Sequence, residues 1–274
     1  MTDIPAASSP DSAEVPALLA PDEPAPVAVH NPEGQAPVLM LCDHASNFVP
    51  RALDGLGLPE SELARHIGYD LGILPVSRQL AEALDAPLVY SRFSRLIVDP
   101  NRQLDDPTLI PEVADGTVVP GNRHLDDAAV RARLETFFWP YHHAVSQWVG
   151  QSQARGRPPV VLCLHSFTPE LHGRLRPWEA AVLWDSDPRL PVPALDWLRE
   201  RGYVVGDNEP YSGRGHHGYT QHVHAERLGL ANILIELRQD LIDSAAGQRR
   251  WADELAAMFR ALLADPDLYH VRPR

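Results

Sequence analysis

Short apolar runs recur along the chain, and most of them do not alternate with polar residues. The clearest are PVLMLC at 37–42, PPVVLCLH at 158–165 and NILIEL at 232–237. Continuous apolar runs of this length are typical of strands that are covered on both faces, because a strand with one wet face alternates. Shorter strands are predicted at 87–90, 95–99, 180–185 and 203–208.

Segments with helical periodicity separate these strands. We predict helices at 61–84, 124–154, 193–201, 220–229 and 247–263. Pro75 is expected to break or kink the first of them, and the second is expected to be one long helix or two helices parted near Pro140. Strands that alternate with helices predict an α/β protein of three layers, with a mixed, mostly parallel sheet and helices on both faces. We expect a single domain over residues 36–274 and, before it, a disordered or loosely attached Pro- and Ala-rich tail over 1–35.

Charge and composition narrow the range of functions. The formal net charge is −13, and all 24 basic residues are arginine. The acidic balance argues against a general nucleic-acid surface, and the lack of lysine excludes a Schiff base or a P-loop. Two cysteines make no disulfide framework, and we find neither a basic signal region nor an apolar run long enough for a membrane. The sequence therefore predicts a cytoplasmic protein that acts on small molecules, without nucleic-acid or membrane partners; it gives no indication of oligomeric state.

Side chains able to bind a metal follow two of the buried strands. His44 comes just after the first apolar run and His165 ends the second. Ligands of open α/β sheets bind outside the carboxyl ends of the strands, and neutral imidazole is a common zinc ligand. We expect Asp70 to be the third ligand of a zinc or other divalent ion, with Asn47 as a weaker alternative. Glu236, near the end of the last strand, is the candidate general base and general acid.

The segment SRFSRLIVDPNR (91–102) is the candidate substrate clamp. An arginine presents a planar fork that recognises a carboxylate through two hydrogen bonds, so Arg102, with Asn101 beside it, could hold an amino-acid carboxylate. Arg95 could assist or stabilise an oxyanion. The alternative is ordinary pairing of these arginines with carboxylates of this acidic protein.

Two other groups of residues offer competing interpretations. Cys42 and Cys163 each stand two residues before a candidate histidine, so a structural Cys2His2 zinc site or a cysteine nucleophile is conceivable; small buried hydrophobes are the preferred interpretation. A second histidine group is more typical of a loop surface or of a segment that gates the substrate. Its members are His216, His217, His222 and His224.

Seven segments together resemble the N-formylglutamate amidohydrolase family, in the subgroup with DHASN. They appear in family order and span nearly everything from residue 37 to about 260. The segments are CDHASNFVP, IGYDLGILPVS, SRLIVDPNR, LHSFTP, GDNEPYSG, GYTQHVHAERLGL and IELRQDLI. DPNR is also distantly similar to the Asp-Leu-Asn-Arg segment of aspartoacylases and succinylglutamate desuccinylases.

The resemblance implies a zinc-peptidase-like α/β fold and metal-dependent hydrolysis of an N-acyl amino acid, such as N-formylglutamate, to formate and the free amino acid. It implies that Asn101 and Arg102 hold the substrate carboxylate, that His165 is the second histidine ligand and that Glu236 is catalytic. Substrate contacts are also expected from residues in the same segments, namely Ser46, Asn47, Tyr211 and Arg238. The alternatives are a related zinc amidohydrolase with a different N-acyl or carboxylate-bearing substrate, and an inactive carboxylate-binding domain.

Overall fold

The computed structural model describes residues 17–214 and 218–272. Within these ranges, seven strands form one sheet, and two further pairs of strands form small hairpins. The strands are β1 (Val27–His30), β2 (Val38–Cys42), β3 (Leu88–Ser91), β4 (Val113–Ala114), β5 (Thr117–Val118), β6 (Val160–Phe167), β7 (Glu170–Leu171), β8 (Arg174–Leu175), β9 (Ala180–Leu183), β10 (Val205–Asp207) and β11 (Asn232–Arg238).

The main sheet is mixed and mostly parallel, as predicted. Its strand order is β1-β3-β2-β6-β11-β9-β10. The four central strands, β3, β2, β6 and β11, all run in the same direction. Antiparallel pairing occurs where β1 joins β3 and where β9 joins β11. The carboxyl ends of the central strands therefore lie along one edge of the sheet.

Helices cover both faces of the sheet and complete the three layers. They are α1 (Glu60–Leu63), α2 (Ile73–Leu84), α3 (Asp127–Arg133), α4 (Trp139–Ala154), α5 (Pro191–Glu200), α6 (Tyr219–His224) and α7 (Ala245–Leu262). Helices α2, α5 and α7 pack on one face of the sheet and form one hydrophobic core with it. Helix α4 packs on the opposite face and forms a second core. No helix in the described ranges is both long enough and apolar enough to cross a membrane.

The central strands contribute alternate side chains to the two cores. In β2, Met40 and Cys42 pack on the side of α2, whereas Leu39 and Leu41 pack on the side of α4. Successive strand residues point to opposite faces, so a strand covered on both sides must be apolar throughout. This two-sided burial explains the unbroken apolar runs in the sequence.

The predicted tail is too long in one respect. Residues 1–16 lie outside the described residues, but Val27–His30 forms the edge strand β1 and pairs with Leu88–Ser91. Pro26 extends this attachment, because its carbonyl accepts a hydrogen bond from the backbone N–H of Arg92 at 3.0 Å. The sequence around Val27–His30 is rich in proline and gives no strand signal. This four-residue strand is stabilised by its hydrogen-bonded pairing with β3 rather than by a periodic apolar face.

The predicted strand at 95–99 is wrong. The segment turns instead of extending: the backbone N–H of Ile97 donates to the carbonyl of Ser94, three residues earlier. Its apolar residues pack into a third cluster, formed by loops and by the helical segment around Phe138, instead of entering the sheet. The turn brings Arg95 and Asp99 together, which an extended strand would not do.

At Pro75 the helix boundaries differ from the prediction, whereas an unbroken helix through Pro140 is one of the two predicted alternatives. The first predicted helix is interrupted between α1 and α2, and Pro75 lies in the first turn of α2, where its missing N–H costs nothing. The helix passes through Pro140, which stands at the start of α4 after a π-helical turn over Leu134–Phe138. Gly72 leads into α2 with a φ of 76°, and a Cβ there would lie 2.3 Å from the carbonyl oxygen of Ile242.

Truncation of a buried side chain in the central core should lower the free energy of unfolding much more than truncation of an exposed side chain. Leu162, in β6, is 0% exposed, whereas Leu175 is 79% exposed. Leu162→Ala is expected to lower the free energy of unfolding by about 2–5 kcal/mol, because it leaves a cavity. Leu175→Ala should change it by less than about 0.5 kcal/mol. Urea denaturation of both variants measures the difference, and equal losses would contradict this packing.

Candidate metal centre and active site

Four chain segments meet at the carboxyl edge of the central strands. His44 follows β2 by two residues, and His165 in β6 is the cross-strand partner of Glu236 in β11. Asp70 lies in the loop before α2, where its backbone N–H donates to the carbonyl of His44 at 2.9 Å. The structure thus brings together the four residues that the sequence predicts to meet.

His44, Asp70 and His165 form a compact, buried group of possible metal ligands. One ligand atom from each lies within 4.8 Å of the other two. Asp70 Oδ2 is 2.9 Å from His165 Nδ1 and 3.4 Å from His44 Nδ1. The two imidazoles therefore turn the same kind of nitrogen, Nδ1, towards one carboxylate oxygen.

A carboxylate holds the opposite nitrogen of each imidazole. His165 Nε2 lies 3.0 Å from Asp43 Oδ2, and His44 Nε2 lies 2.7 Å from Asp99 Oδ1. Metal-binding histidines almost always have such a partner on the second ring nitrogen, which fixes the ring and makes the ligand more basic. The sequence predicts no role for Asp43 and Asp99, although each stands in a family motif, DHASN or DPNR.

Each of these two carboxylates is itself anchored by a further hydrogen-bonding side chain. The hydroxyl of Tyr141 in α4 donates to Asp43 Oδ1 at 2.6 Å. Arg95 donates to Asp99 Oδ2 from both Nε and Nη2, at 3.0 and 2.6 Å. Burial alone would raise the pKa of Asp99, but the charges of Arg95 and His44 outweigh it and hold the pKa well below the usual range. Asp99 is therefore a fixed anion behind His44.

The group fits a divalent cation on its donor chemistry and its charge. His44 Nδ1 is buried and has no hydrogen-bond partner among the described residues. Burial lowers the pKa of His165, yet its hydrogen bonds with Asp43 and Asp70 raise it to about 10, so without a metal a proton supplies the balancing positive charge. Two imidazole nitrogens and one carboxylate are a recognised ligand set of catalytic zinc. A zinc ion would satisfy the unpartnered nitrogen and replace that proton.

Glu236 stands beside this group with an uncommitted oxygen. The residue is 8% exposed, and its Oε2 has no hydrogen-bond partner in the described part of the chain. Burial raises the pKa of Glu236 to about 7, against the opposing effect of nearby positive charges. A carboxyl group with a pKa near neutrality can both accept and donate a proton under physiological conditions.

A cavity of about 110 Å³ contains the metal group, Glu236 and the predicted clamp. Asn101 and Arg102 both line it. Asn101 is fixed through its Oδ1, which accepts from the backbone N–H of Thr220 at 3.1 Å, and its side-chain N–H groups have no acceptor in residues 17–214 or 218–272. Arg102 donates to Thr108 Oγ1 and to the carbonyl of Asn101 and, in the same ranges, forms no ion pair. Both side chains retain donors for an anion.

The other predicted substrate contacts divide into two groups. Tyr211 and Arg95 line the cavity. Ser46, Asn47 and Arg238 do not line it: the Ser46 hydroxyl accepts from the backbone of Phe48, and Arg238 is bound to Asp240. The guanidinium of Arg95 donates two hydrogen bonds to Asp99. This pairing favours a supporting role for Arg95 over direct contact with an oxyanion.

The cysteines are poor candidates for ligands or nucleophiles. Cys42 and Cys163 belong to different cores, on opposite faces of the sheet. Burial raises the pKa of both thiols well above the ordinary value, which suppresses the reactive thiolate. They behave as small core residues.

The second histidine group does not reach the metal group through its described members. His222 pairs with Glu226 at 3.1 Å. His224 is buried in α6, and its Nε2 lies 2.8 Å from Nδ1 of His142 in α4. His216 and His217 lie outside the described residues.

Comparison with known proteins decides the family. The sequence model of N-formylglutamate amidohydrolase matches residues 36–243, about three quarters of the chain. The chain belongs to this family. A gene product from Agrobacterium tumefaciens has a similar structure, with 37% identity, a TM-score of 0.88, and coverage of 90% of this chain and 98% of that one.

One more remote solved structure agrees in fold. An N-formylglutamate amidohydrolase from Ralstonia eutropha JMP134 has 23% identity and a TM-score of 0.67 over 88% of this chain and 98% of its own. An aspartoacylase family protein from Mesorhizobium loti is far more distant, with 17% identity and a TM-score of 0.32 over 84% of this chain and 61% of its own. A comparison with curated proteins finds no significant match. The family assignment makes this chain an amidohydrolase by descent and confirms the expected fold class.

Loss of the carboxylate behind His165 should weaken metal binding. Asp43→Asn removes the negative charge next to His165 Nε2 while keeping the shape of the side chain. We expect zinc affinity to fall by about 10- to 100-fold, as is typical when a partner of a ligating histidine is changed. Competition with a chromogenic chelator measures the affinity, and Asp105→Asn, at an exposed position, is the matched control. Unchanged affinity in Asp43→Asn would contradict the assigned ligand geometry.

Proposed function

We propose that this chain is a metal-dependent amidohydrolase that cleaves the N-formyl amide of an acidic amino acid, with N-formylglutamate as the first candidate, to give formate and the free amino acid. One observation carries the proposal: Glu236, with an unpartnered oxygen, shares a cavity with the buried group of His44, Asp70 and His165. A proton acceptor beside a metal-ligand group is the arrangement that hydrolysis of an amide requires.

The metal would be held by His44 Nδ1, His165 Nδ1 and Asp70. A zinc ion, when bound, polarises a carbonyl oxygen and makes water more acidic. Asp43 and Asp99 keep the two imidazoles in the orientation that presents Nδ1, and Tyr141 and Arg95 keep those carboxylates in place. We infer that Arg95 acts as a positioning residue for the metal group.

Glu236 would transfer a proton from the attacking water to the leaving amide nitrogen. Its Oε2 takes a proton from the attacking water as the oxygen joins the formyl carbon. The same oxygen then gives the proton to the amide nitrogen as the C–N bond breaks, so formate and an amine leave. Burial keeps the pKa of Glu236 at about 7, which suits both transfers.

Asn101 and Arg102 would fix the substrate through its carboxylate. The Asn101 side chain is immobilised by Thr220, and Arg102 is braced by Thr108, so both present donors at little further entropic cost. Correct placement of the formyl group over the metal group then follows from binding of the distant carboxylate. Tyr211, at the cavity wall, is a further proposed contact, and roles for Ser46, Asn47 and Arg238 stay predictions.

A second candidate substrate class is favoured by an adjoining cavity of about 270 Å³. It shares His66, Arg95, Arg102 and Tyr211 with the first cavity. The rest of its wall is largely apolar and includes Ile67, Leu96, Pro111, Val113 and Leu171. A related amide with a larger acyl group would occupy this space, and a panel of N-formyl, N-acetyl and longer N-acyl amino acids separates the two classes.

Replacement of Glu236 should abolish turnover without loss of the metal. In the zinc-loaded enzyme, Glu236→Gln is expected to lower kcat for formate release from N-formyl-L-glutamate by at least about 100-fold, because the amide cannot accept the proton. Formate release and zinc content are measured on the same preparation.

An exposed glutamate provides the control for this experiment. Glu200→Gln, at the end of α5, should retain the parent rate and zinc content. Full activity in Glu236→Gln, or in protein freed of metal by a chelator, would contradict the proposed function.

A further inference from the structure

Arg176 lies directly behind the wall of the active-site cavity. It follows β8, and it is 8% exposed. Its guanidinium stacks over the rings of Tyr211 and Phe167, at 4.9 and 5.9 Å from their centroids, and its Nη2 donates to the Tyr211 hydroxyl at 2.9 Å. Tyr211 and Phe167 both line the cavity that holds Glu236. A buried positive charge therefore adjoins the site where the substrate would bind.

This charge forms no ion pair in the part of the chain that the structure describes, although its field reaches Glu236 and lowers the pKa of that carboxyl. Besides Tyr211, its side chain reaches only the carbonyl of Thr168 there, at 3.4 Å. A buried charge is costly unless it is paired, and Arg189 shows the usual solution, since its fork is bound to Asp187. Arg133 also lacks a carboxylate, but three close acceptors satisfy it, among them Asn122 Oδ1 at 2.6 Å. Arg176 lacks both arrangements.

The number of uncommitted cations in the cavity region matches a doubly charged substrate. Arg102 lines the cavity without an ion pair, and Arg176 backs the same cavity without one, each within the described residues. Arg95 is the paired member of the set, because Asp99 holds its fork. An N-acylated acidic amino acid carries two carboxylates, whereas its neutral counterparts carry one.

We propose that Arg176, acting through Tyr211 and by its charge, selects substrates with a second carboxylate and that Arg102 binds the first. The assignment rests on the proposed function and adds to it the feature that distinguishes acidic from neutral amides. Arg176 is then a positioning residue: it holds the Tyr211 hydroxyl at the cavity wall and supplies the field that favours an anion there. A purely structural role would affect charged and neutral ligands equally.

The test compares two ligands that differ in charge and hardly in shape. N-formyl-L-glutamate and N-formyl-L-glutamine are titrated calorimetrically into the zinc-loaded Glu236→Gln variant, so that binding is measured without turnover. We expect the charged ligand to bind at least about tenfold more tightly, as befits a charge-assisted interaction. In Glu236→Gln/Arg176→Gln this ratio should fall to about one, mainly through weaker binding of N-formyl-L-glutamate. Arg176→Lys in the same background should retain part of the preference.

Arg78 gives a closely matched control. It donates to the Tyr90 hydroxyl at 2.8 Å and stacks over that ring at 5.2 Å, but it lies on α2, outside the cavity. Arg78→Gln removes the same charge and should leave the ratio unchanged. Equal binding of both ligands before Arg176 is changed, no binding of the charged ligand, or a ratio that survives Arg176→Gln overturns the assignment. Formate release by the unmutated enzyme reports separately on the proposed function.

Discussion

Two buried carboxylate–histidine pairs control the geometry of this site. Asp43 holds Nε2 of His165 and Asp99 holds Nε2 of His44, so both Nδ1 atoms face the single oxygen Asp70 Oδ2. Buried charges persist only where partners and hydrogen bonds compensate their desolvation. Removing either outer carboxylate would free one imidazole to rotate and leave the other charges unbalanced. The arrangement therefore fixes ligand direction and charge together.

The fold supplies this arrangement by joining distant parts of the chain at one sheet edge. Parallel pairing of β2, β6 and β11 places His165 beside Glu236 and brings the end of β2 next to them. Helix α4, on one face, contributes Tyr141, and the loop before α2, on the other face, contributes Asp70. The turn at 94–102 contributes both a partner for His44 and the candidate clamp. Strands thus carry His165 and Glu236, while the turns and loops at the sheet edge carry His44, Asp70 and the groups that would recognise substrate.

The sequence predicts the fold class and the meeting of the main site residues, because both depend on short-range signals. Unbroken apolar runs indicate a covered parallel sheet, and polar residues at strand ends must then converge on one edge. The supporting residues carry no such signal: Tyr141 lies 98 positions from Asp43, and only tertiary structure joins them. The segment at 95–99 looked like a strand because Leu96, Ile97 and Val98 are apolar, yet they fill a separate loop core. Arg176 resembles any surface arginine until its burial is known.

The other proposals depend on the binding of one metal ion through Nδ1 of both histidines and through Asp70. Anomalous diffraction at the zinc absorption edge, on crystals of the zinc-loaded protein, tests it most directly. We expect one strong peak at about 2.0–2.2 Å from His44 Nδ1, His165 Nδ1 and a carboxylate oxygen of Asp70. A peak that is bound through Nε2, or that lies away from these three side chains, would contradict it.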